Sequence, residues 1–249
     1  MSFPIDRSVL RNIRALASDI DETITIDGTL YAENWKRITR LREAGVKVIL
    51  VTGRTAGHAL TLTTYADIDA AIGENGGVIC RGETVQIADY FDQRRFERIV
   101  SVAERVKKHF AYLQWTDDNF MRKTDQTFYV HDVPVADIEK MRQMVAIDDL
   151  AIVYSSVHIH VSDPEVNKGR TLVPLLAEFG IDDMEQVITI GDSPNDVGLF
   201  NHDLFPHSVG VKNIENYLDR LPVRPTYILD KYEGHGFGRL CDEILAAKQ

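Results

Sequence analysis

Residues 14–28 read RALASDIDETITIDG, an apolar run that ends in a cluster of carboxylates. Asp19 and Asp21 lie two positions apart, and Glu22 follows directly. If the run forms a strand, side chains at alternate positions point the same way, so the two aspartates share one face. Their repulsion is costly unless a cation or a shared proton relieves it. A solvated acidic turn after a strand would also fit this stretch, so other parts of the chain must distinguish the two interpretations.

Strand and helix patterns alternate along most of the chain. The predicted elements are a strand at 13–18, a helix at 32–44, a buried strand at 46–53, a helix start at 52–62, strand-like residues at 70–80, a helix at 167–180, a strand, turn and helix at 186–200, and a last strand and helix within 226–248, with the glycines of 234–238 in the loop before that helix. Nearly continuous apolar strands that alternate with helices are typical of a parallel sheet covered on both faces. The chain is therefore predicted to be an α/β protein with a doubly wound parallel sheet.

Residues 82–163 show a different pattern. Apolar residues at helical spacing indicate two amphipathic helices, within 96–110 and 135–145, and the strand-like stretches TFYVHD and AIVYSSVHIHV accompany them. Helices that pack against a few antiparallel strands form a small α+β domain. We therefore predict an inserted α+β domain at 82–163 and a core domain formed by 1–81 and 164–249.

Composition narrows the range of partners. Lys and Arg total 28 against 38 for Asp and Glu, a net charge of −10, which argues against a nucleic-acid-binding protein. No apolar run reaches the length of a membrane span, and the N-terminal residues lack the apolar core of a signal peptide. Cys80 and Cys241 cannot build a disulfide framework, which favours a reducing cytoplasm. We expect a monomer or a homodimer without nucleic-acid or membrane partners.

Four polar motifs follow predicted strands or open predicted helices. In chain order they are DIDET, TGR, NKGRTL and GDSPND. Ligands of open α/β sheets bind beyond the carboxyl ends of the strands, so these motifs are expected to meet at one edge. Each motif alone is a weak signal, but all four in this order indicate one functional site.

The motifs resemble those of the haloacid dehalogenase (HAD) superfamily phosphatases with a type-C2 cap. The resemblance rests on DIDETIT, VILVTGR, the lysine of NKGRTL, and GDSPND, with the insertion between the second and third motifs. The turn GENGGVI and the terminal YEGHGFGRL are similar to the IIB subgroup, which contains phosphoglycolate phosphatases and sucrose-phosphate phosphatases. This resemblance implies a Rossmann-like core, with residues 82–163 as the cap.

The resemblance implies a role for each residue of the motifs. Asp19 would be the nucleophile that forms an aspartyl-phosphate, and Asp21 would protonate the leaving oxygen and later activate water. Lys168 would neutralise the charge of Asp19 and the phosphoryl group. Thr52 and the amide of Gly53 would hydrogen-bond phosphoryl oxygens.

The resemblance also implies a Mg²⁺ cofactor. The Asp19 carboxylate, the Asp21 carbonyl and Asp192 would bind the ion, which prefers oxygen ligands. Asp196 and Asn195 would support the water molecules around it. On this interpretation the opening carboxylates lie close together because they share a divalent cation.

One residue departs from the family pattern. A small residue, commonly glycine, follows the second aspartate in most relatives, and here the residue is Glu22. We expect a solvent-facing Glu22 in a turn with negative φ, and the alternative is a contact to the substrate.

Further substrate contacts are predicted from the insertion and the turn before it. Arg122 and Lys123 are cations suited to a substrate carboxylate or second phosphate, although a solvated surface pair is the alternative. Asn75 would face the substrate or form a turn. His158 and His160 lack a third metal ligand nearby in sequence, so we interpret them as a polar face of the cap sheet that could turn toward the site.

The predicted activity is Mg²⁺-dependent hydrolysis of a small phosphorylated metabolite, phosphoglycolate or a sugar phosphate. Two alternatives use the same motifs. One is a sugar phosphomutase, which would form an isomer without releasing phosphate. The other is a catalytically silent binding protein on the same fold, against which the retained motif residues argue.

Overall fold

The computed structural model describes residues 3–249, and its larger sheet has eight strands. They are, in chain order, β1 Ala15–Ser18, β2 Lys47–Val51, β3 Ala70–Gly73, β4 Val78–Arg81, β5 Thr84–Ile87, β9 Val187–Gly191, β10 His207–Gly210 and β11 Tyr227–Ile228. The three strands that lie between β5 and β9 in the chain belong to a second sheet. The order across the sheet is β11-β10-β9-β1-β2-β3-β4-β5. Strands β11 to β3 run parallel, and β4 and β5 pair antiparallel. The predicted α/β fold with a parallel-sheet core is confirmed.

Helices cover both faces of this sheet. They are α1 Arg7–Asn12, α2 Ala32–Glu43, α3 Ala56–Tyr65, α6 Lys168–Glu178 and α7 Glu233–Lys248. Alternate residues of β1 enter different cores: Leu16 packs in a cluster with Ile38 and Leu240, whereas Ala17 packs in a cluster with Leu175. The period of two along the strand therefore accounts for a sheet that is buried on both sides. Within the described residues, no helix combines the length and apolar character required to cross a bilayer.

Residues 93–162 contain a second sheet and two helices, which we call the small module. It contains α4 Gln93–His109, α5 Val135–Ala146 and a sheet of β6 Asp125–Tyr129, β7 Ala151–Tyr154 and β8 His158–Ser162. The strands are antiparallel in the order β6-β8-β7, and Ile159 and Val161 pack in the cluster that holds both helices. Strand β5 belongs to the large sheet although it lies within 82–163, and the division into core and inserted domains stays a prediction.

The strand-like stretch AIVYSSVHIHV forms two strands joined at residues 155–157. Two local predictions were wrong. One 3₁₀ turn, Pro194–Asp196, follows β9 instead of the predicted helix. The glycines of 234–238 lie inside α7 and not in a loop before it. A Cβ at Gly234 would lie 2.3 Å from the carbonyl oxygen of Ile24, so this glycine permits close packing of the helix. Glycine-rich sequence was misread as loop because the need for close contact is invisible in the sequence.

Candidate active site

The four motifs meet at one edge of the large sheet. Asp19 follows β1, Asp192 follows β9, and Thr52 follows β2, and these three strands are neighbours in the sheet. The amide of Asp19 donates to the Ile190 carbonyl at 2.9 Å, which ties the end of β1 to the end of β9. Lys168 is the first residue of α6 and reaches the same edge. The sheet order therefore assembles the site from segments that lie far apart in the chain.

Lys168 lies between two carboxylates. Its side chain is fully buried, and its Nζ lies 2.5 Å from Asp19 Oδ1 and 2.6 Å from Asp196 Oδ1. Burial alone would lower the pKa of Lys168, but the charges of Asp19 and Asp196 raise it above its ordinary value. The ammonium group is therefore permanently charged and fixes the orientation of the Asp19 carboxylate.

Three buried carboxylates lie close together beside one lysine, so their negative charges outnumber its single positive charge. Oxygen atoms of Asp19, Asp192 and Asp196 all lie within 4.8 Å of one another. Burial raises the pKa of Asp19 to about 8, although Lys168 opposes the shift, and burial together with the Asp19 charge raises the pKa of Asp192 well above its ordinary value. Burial and like charge thus both disfavour the ionised form of these carboxylates, and a further positive charge would favour it.

The donor set of this cluster fits a divalent cation. Asp192 Oδ1 accepts from the Thr23 hydroxyl at 3.0 Å, whereas its Oδ2 is buried without a hydrogen-bond partner in the described residues 3–249. Both oxygens of Asp196 are already engaged, Oδ1 by Lys168 and Oδ2 by the amides of Asp192 and Ser193. The open oxygen is thus on Asp192, and Asp196 is fixed in a supporting position.

Asp21 forms an ion pair that the sequence analysis missed. Arg54 Nη2 lies 2.6 Å from Asp21 Oδ1, and Arg54 Nε lies 2.9 Å from Oδ2. The hydrogen bonds that Arg54 donates to Asp21 raise the pKa of Arg54, so the guanidinium stays charged and orients the Asp21 carboxylate. Arg54 is the third residue of the motif TGR, and its position just beyond β2, the strand beside β1, was the available signal.

The predicted phosphoryl-binding residues lie beneath the small module. Thr52 is buried, and its hydroxyl accepts from the Arg54 amide at 3.1 Å. A Cβ on Gly53 would lie 3.1 Å from Asn75 Oδ1 and 3.2 Å from the His160 ring. A glycine at this position allows both side chains to approach the loop closely.

Glu22 differs from the expectation of a negative φ. Its φ is 58°, in the left-handed region, and the side chain is partly exposed. The turn requires this backbone because the Glu22 amide donates to the Thr25 hydroxyl at 2.8 Å, while the Glu22 carbonyl accepts from Asn213 at 2.9 Å. The expectation was wrong because a hydrogen bond within the turn and a tertiary one outweigh the conformational preference of glutamate.

The two predicted cations of the small module separate in the structure. Arg122 is buried, and its Nη1 donates to the Gly53 carbonyl at 3.1 Å and to Asp125 at 2.9 Å. Lys123 is exposed, and its amide donates to Glu74 Oε2 at 2.9 Å. A solvated surface pair was therefore the wrong description of Arg122, because it bridges the small module and the loop after β2.

The turn between β3 and β4 contains both a predicted and an unpredicted residue of this interface. Asn75 has a φ of 53°, as a turn residue would, and its Oδ1 accepts from Asn195 at 3.1 Å. Glu74 is fully buried, and its Oε2 accepts from the Thr124 amide at 2.8 Å while its Oε1 accepts from the Ala56 amide at 3.1 Å. Burial raises the pKa of Glu74. No pattern in the sequence distinguishes this glutamate from a surface residue.

The small module covers the carboxylates almost completely. Asp19 and Gly53 from the core face His158 and His160 from β8 across a cavity of about 10 Å³ for the centre of a water molecule. That space holds about one water and is too small for a phosphoryl group. An open cavity of about 780 Å³ adjoins it beside Asp21 and Arg54.

Fold and site together define an α/β enzyme that gathers a buried lysine and three aspartates at the carboxyl ends of parallel strands. The chain belongs to the haloacid dehalogenase-like hydrolase family, whose model matches residues 16–152 and 133–219. It is 32% identical over 217 residues to the phosphoglycolate phosphatase of Methanobrevibacter smithii, covering 84% of this chain and 90% of the relative. The family and phosphatase class predicted from the motifs are confirmed.

Solved structures agree on the fold. A protein of Thermoplasma acidophilum superposes with a TM-score of 0.77 at 20% identity, covering 93% of this chain and 98% of that protein. The sucrose-phosphatase of a Synechocystis species, solved with sucrose and phosphate, gives a TM-score of 0.69 at 16% identity, covering 94% of this chain and 98% of that enzyme. At these identities the likeness establishes the fold alone.

Proposed function

We propose that this chain hydrolyses a small phosphorylated metabolite, phosphoglycolate or a sugar phosphate, in a Mg²⁺-dependent reaction through an aspartyl-phosphate on Asp19. One observation carries the proposal. The Asp19 carboxylate contacts the buried ammonium of Lys168 and lies within 4.8 Å of the Asp192 and Asp196 carboxylates. Such a carboxylate can approach an anionic phosphoryl group when positive charge surrounds both.

The acidic cluster is suited to Mg²⁺, which prefers oxygen ligands. Asp19, Asp192 and the main-chain carbonyl of Asp21 would hold the ion, and Asp196 and Asn195 would support its waters. When bound, the ion would neutralise part of the charge on the carboxylates and on the phosphoryl group.

The residues of the chain divide the chemistry. Asp19 attacks phosphorus, an Asp19–phosphorus bond forms, and the bond to the ester oxygen breaks. Asp21 donates a proton to that oxygen from its protonated form, and the carboxylate so produced then takes a proton from the water that releases phosphate from Asp19. Lys168 balances the charge on Asp19, while Thr52 and the Gly53 amide hydrogen-bond phosphoryl oxygens.

The small module would act as the cap that selects the substrate. Its cover over Asp19 leaves little space, which favours a small leaving group and a module that opens for each turnover. Phosphoglycolate is the first candidate because the relative from Methanobrevibacter smithii is named phosphoglycolate phosphatase. A covered site also disfavours nucleic acids and phosphoproteins, and the buried free thiols of Cys80 and Cys241 support a reducing cytoplasm.

The test is phosphate release from a panel of phosphoglycolate, sucrose phosphate, hexose phosphates and glycerate phosphates, with Mg²⁺ and with chelator. We expect one compound to be hydrolysed in the presence of Mg²⁺ and not in the presence of chelator. Asp19→Asn, which removes the nucleophile, is expected to lower the rate by about 10³-fold or more. Asp219→Asn is the matched control, because this aspartate is fully exposed.

Each other outcome would exclude the proposal in a different way. Full activity of Asp19→Asn would exclude the aspartyl-phosphate. Isomer formation without phosphate release would identify a phosphomutase. Binding of phosphorylated compounds without any turnover would identify a silent binding protein.

A further inference from the structure

A buried polar network of the small module lies directly over the loop after β2. His160 Nδ1 lies 2.7 Å from Asp125 Oδ2, and Arg122 Nη1 lies 2.9 Å and 3.1 Å from the two Asp125 oxygens. The same Arg122 nitrogen donates to the Gly53 carbonyl at 3.1 Å. All three side chains are buried, so the network holds the imidazole ring in one orientation against the predicted phosphoryl-binding loop.

The network determines which ring nitrogen of His160 carries the proton and hydrogen-bonds to Asp125. Burial alone would raise the pKa of Asp125. The Arg122 charge and the hydrogen bond from His160 nevertheless hold this pKa below its ordinary value. Asp125 is therefore ionised and accepts a hydrogen bond from Nδ1–H of the ring. Burial lowers the pKa of His160, so without a ligand the ring is neutral and Nε2 bears a lone pair.

The second nitrogen of His160 faces the site. Nε2 is buried without a partner in the described part of the chain, and the ring lines the small cavity together with Asp19 and Gly53. A Cβ on Gly53 would lie 3.2 Å from this Nε2. A buried polar atom without a partner is costly, and such atoms in ligand cavities are commonly satisfied by the ligand.

We propose that His160 contacts the substrate from the small module, with its Nε2–H donating a hydrogen bond to a phosphoryl oxygen above Asp19. The ring takes up a proton from solvent as the anion binds, and the charged ring is held between the phosphoryl group and Asp125. The charges of Arg122 and Lys168 oppose this protonation, and Asp125 and the anion favour it. Arg122 and Asp125 are positioning residues that act through His160. The inference rests on the proposed function for the identity of the anion.

A purely structural role of His160 and a phosphate-binding role predict that phosphate affinity depends on different ring nitrogens. If His160 only fastens the small module through Asp125, then Nδ1 is the essential atom. If His160 binds the phosphoryl group, then Nε2 is the essential atom for phosphate affinity. An asparagine places an amide near the Nδ1 position, and a glutamine places one near the Nε2 position, so His160→Asn and His160→Gln separate the two roles.

The experiment measures binding of inorganic phosphate in the presence of Mg²⁺ by titration calorimetry, on the full chain. We expect His160→Gln to bind phosphate within about threefold of the unmodified protein, and His160→Asn to bind it about tenfold or more weakly. Equal weakening of both variants, or tight binding by His160→Asn, would overturn the proposal. Because phosphate binding needs no turnover, this test is independent of whether the panel of esters is hydrolysed.

His207→Asn and His207→Gln are the matched controls. His207 is also buried, with Nε2 2.8 Å from Glu185 and Nδ1 unpartnered in the described residues, but it lies on β10 outside the cavity. Its variants are expected to leave phosphate affinity unchanged within about twofold, because they lose comparable burial without a ligand contact.

A measurement without any variant keeps the proposal open to refutation if the His160 variants do not fold. In the unmodified protein, nitrogen NMR of the His160 ring is expected to show Nε2 gaining a proton when phosphate and Mg²⁺ are added, while Nδ1 stays hydrogen-bonded. An Nε2 resonance that phosphate leaves unmoved would refute the contact.

Discussion

The carboxylate edge of the core and the facing side of the small module solve opposite electrostatic problems. In the core, Asp19, Asp192 and Asp196 surround one lysine, and negative charge exceeds positive. In the small module, Arg122 and Asp125 form a balanced buried pair that leaves His160 to respond to a ligand. The core thus has an excess of negative charge that suits a cation, whereas the small module holds a ring that is neutral until a ligand binds.

The two regions also differ in how the chain assembles them. Core side chains follow strand ends directly, so that each sits in a short motif. The network of the small module joins Asp125 on β6 to His160 on β8 across an antiparallel pair, in which His160 lies opposite Thr127. Chemistry is therefore encoded locally, and the proposed recognition depends on strand register.

The largest effect expected in this comparison comes from removing the positive charge of the core. Lys168→Met leaves Asp19 and Asp196 buried without their cation, so we expect the free energy of unfolding in chelator to fall by about 3–5 kcal/mol. Phosphate release is expected to fall by about 10³-fold. Denaturant unfolding and the phosphate assay measure both.

Lys36→Met is the control, because Lys36 is exposed on α2. It should leave both quantities unchanged. If Lys168→Met kept its stability in chelator, the buried carboxylates of the core would not need a cation. The electrostatic contrast between the core and the small module would then fail.

A pH titration of stability in chelator sharpens the same contrast with a smaller effect. The pKa of Asp19 is raised from 3.8 to about 8, so the folded state holds a proton that the unfolded state releases near pH 4. The stabilising contribution of this proton is full below pH 4 and is lost as pH rises toward 8. We expect the free energy of unfolding to fall by roughly 2–5 kcal/mol across this range.

Asp19→Asn cannot release this proton, so its stability should fall less over the same pH range. The fall that remains would come from Asp192 and Glu74, whose pKa values burial also raises. Mg²⁺ should restore the stability of the unmodified protein at pH 8, because binding to the folded state alone stabilises it. A loss of stability that is the same in Asp19→Asn would assign the effect to other groups.

The features that were predicted correctly from the sequence are those that short motifs encode, and those that depend on strand register were missed. The fold and the convergence of the motif residues were predicted because strand ends of a parallel sheet share one edge, and Asp19, Asp192 and Lys168 lie at strand ends or at a helix start. The ion pair of Asp21 with Arg54 was missed, although both residues lie in quoted motifs, because side-chain direction beyond a strand end is decided by tertiary packing.

The network of the small module could not be predicted from the sequence. Arg122 and Lys123 are adjacent and chemically similar, yet the first is buried and the second exposed. Glu74 resembles a surface residue until its hydrogen bonds to Ala56 and Thr124 are seen. Burial of a charged side chain depends on partners that are distant in sequence, and no periodic pattern reports them.

The smallest effect concerns the one departure of the core from its family pattern. Glu22 holds a φ of 58°, which costs a residue with a side chain about 1–2 kcal/mol. Glu22→Gly removes this cost but gives the unfolded chain more freedom, so we expect a net gain of about 0.5–1 kcal/mol in the free energy of unfolding. Glu22→Ala is the matched control, because it removes the carboxylate and keeps the strained backbone. A gain from glycine alone assigns the cost to the backbone. An equal gain from both variants would instead assign it to repulsion between Glu22 and Asp192, and the excess of negative charge in the core would then extend to the mouth of the site.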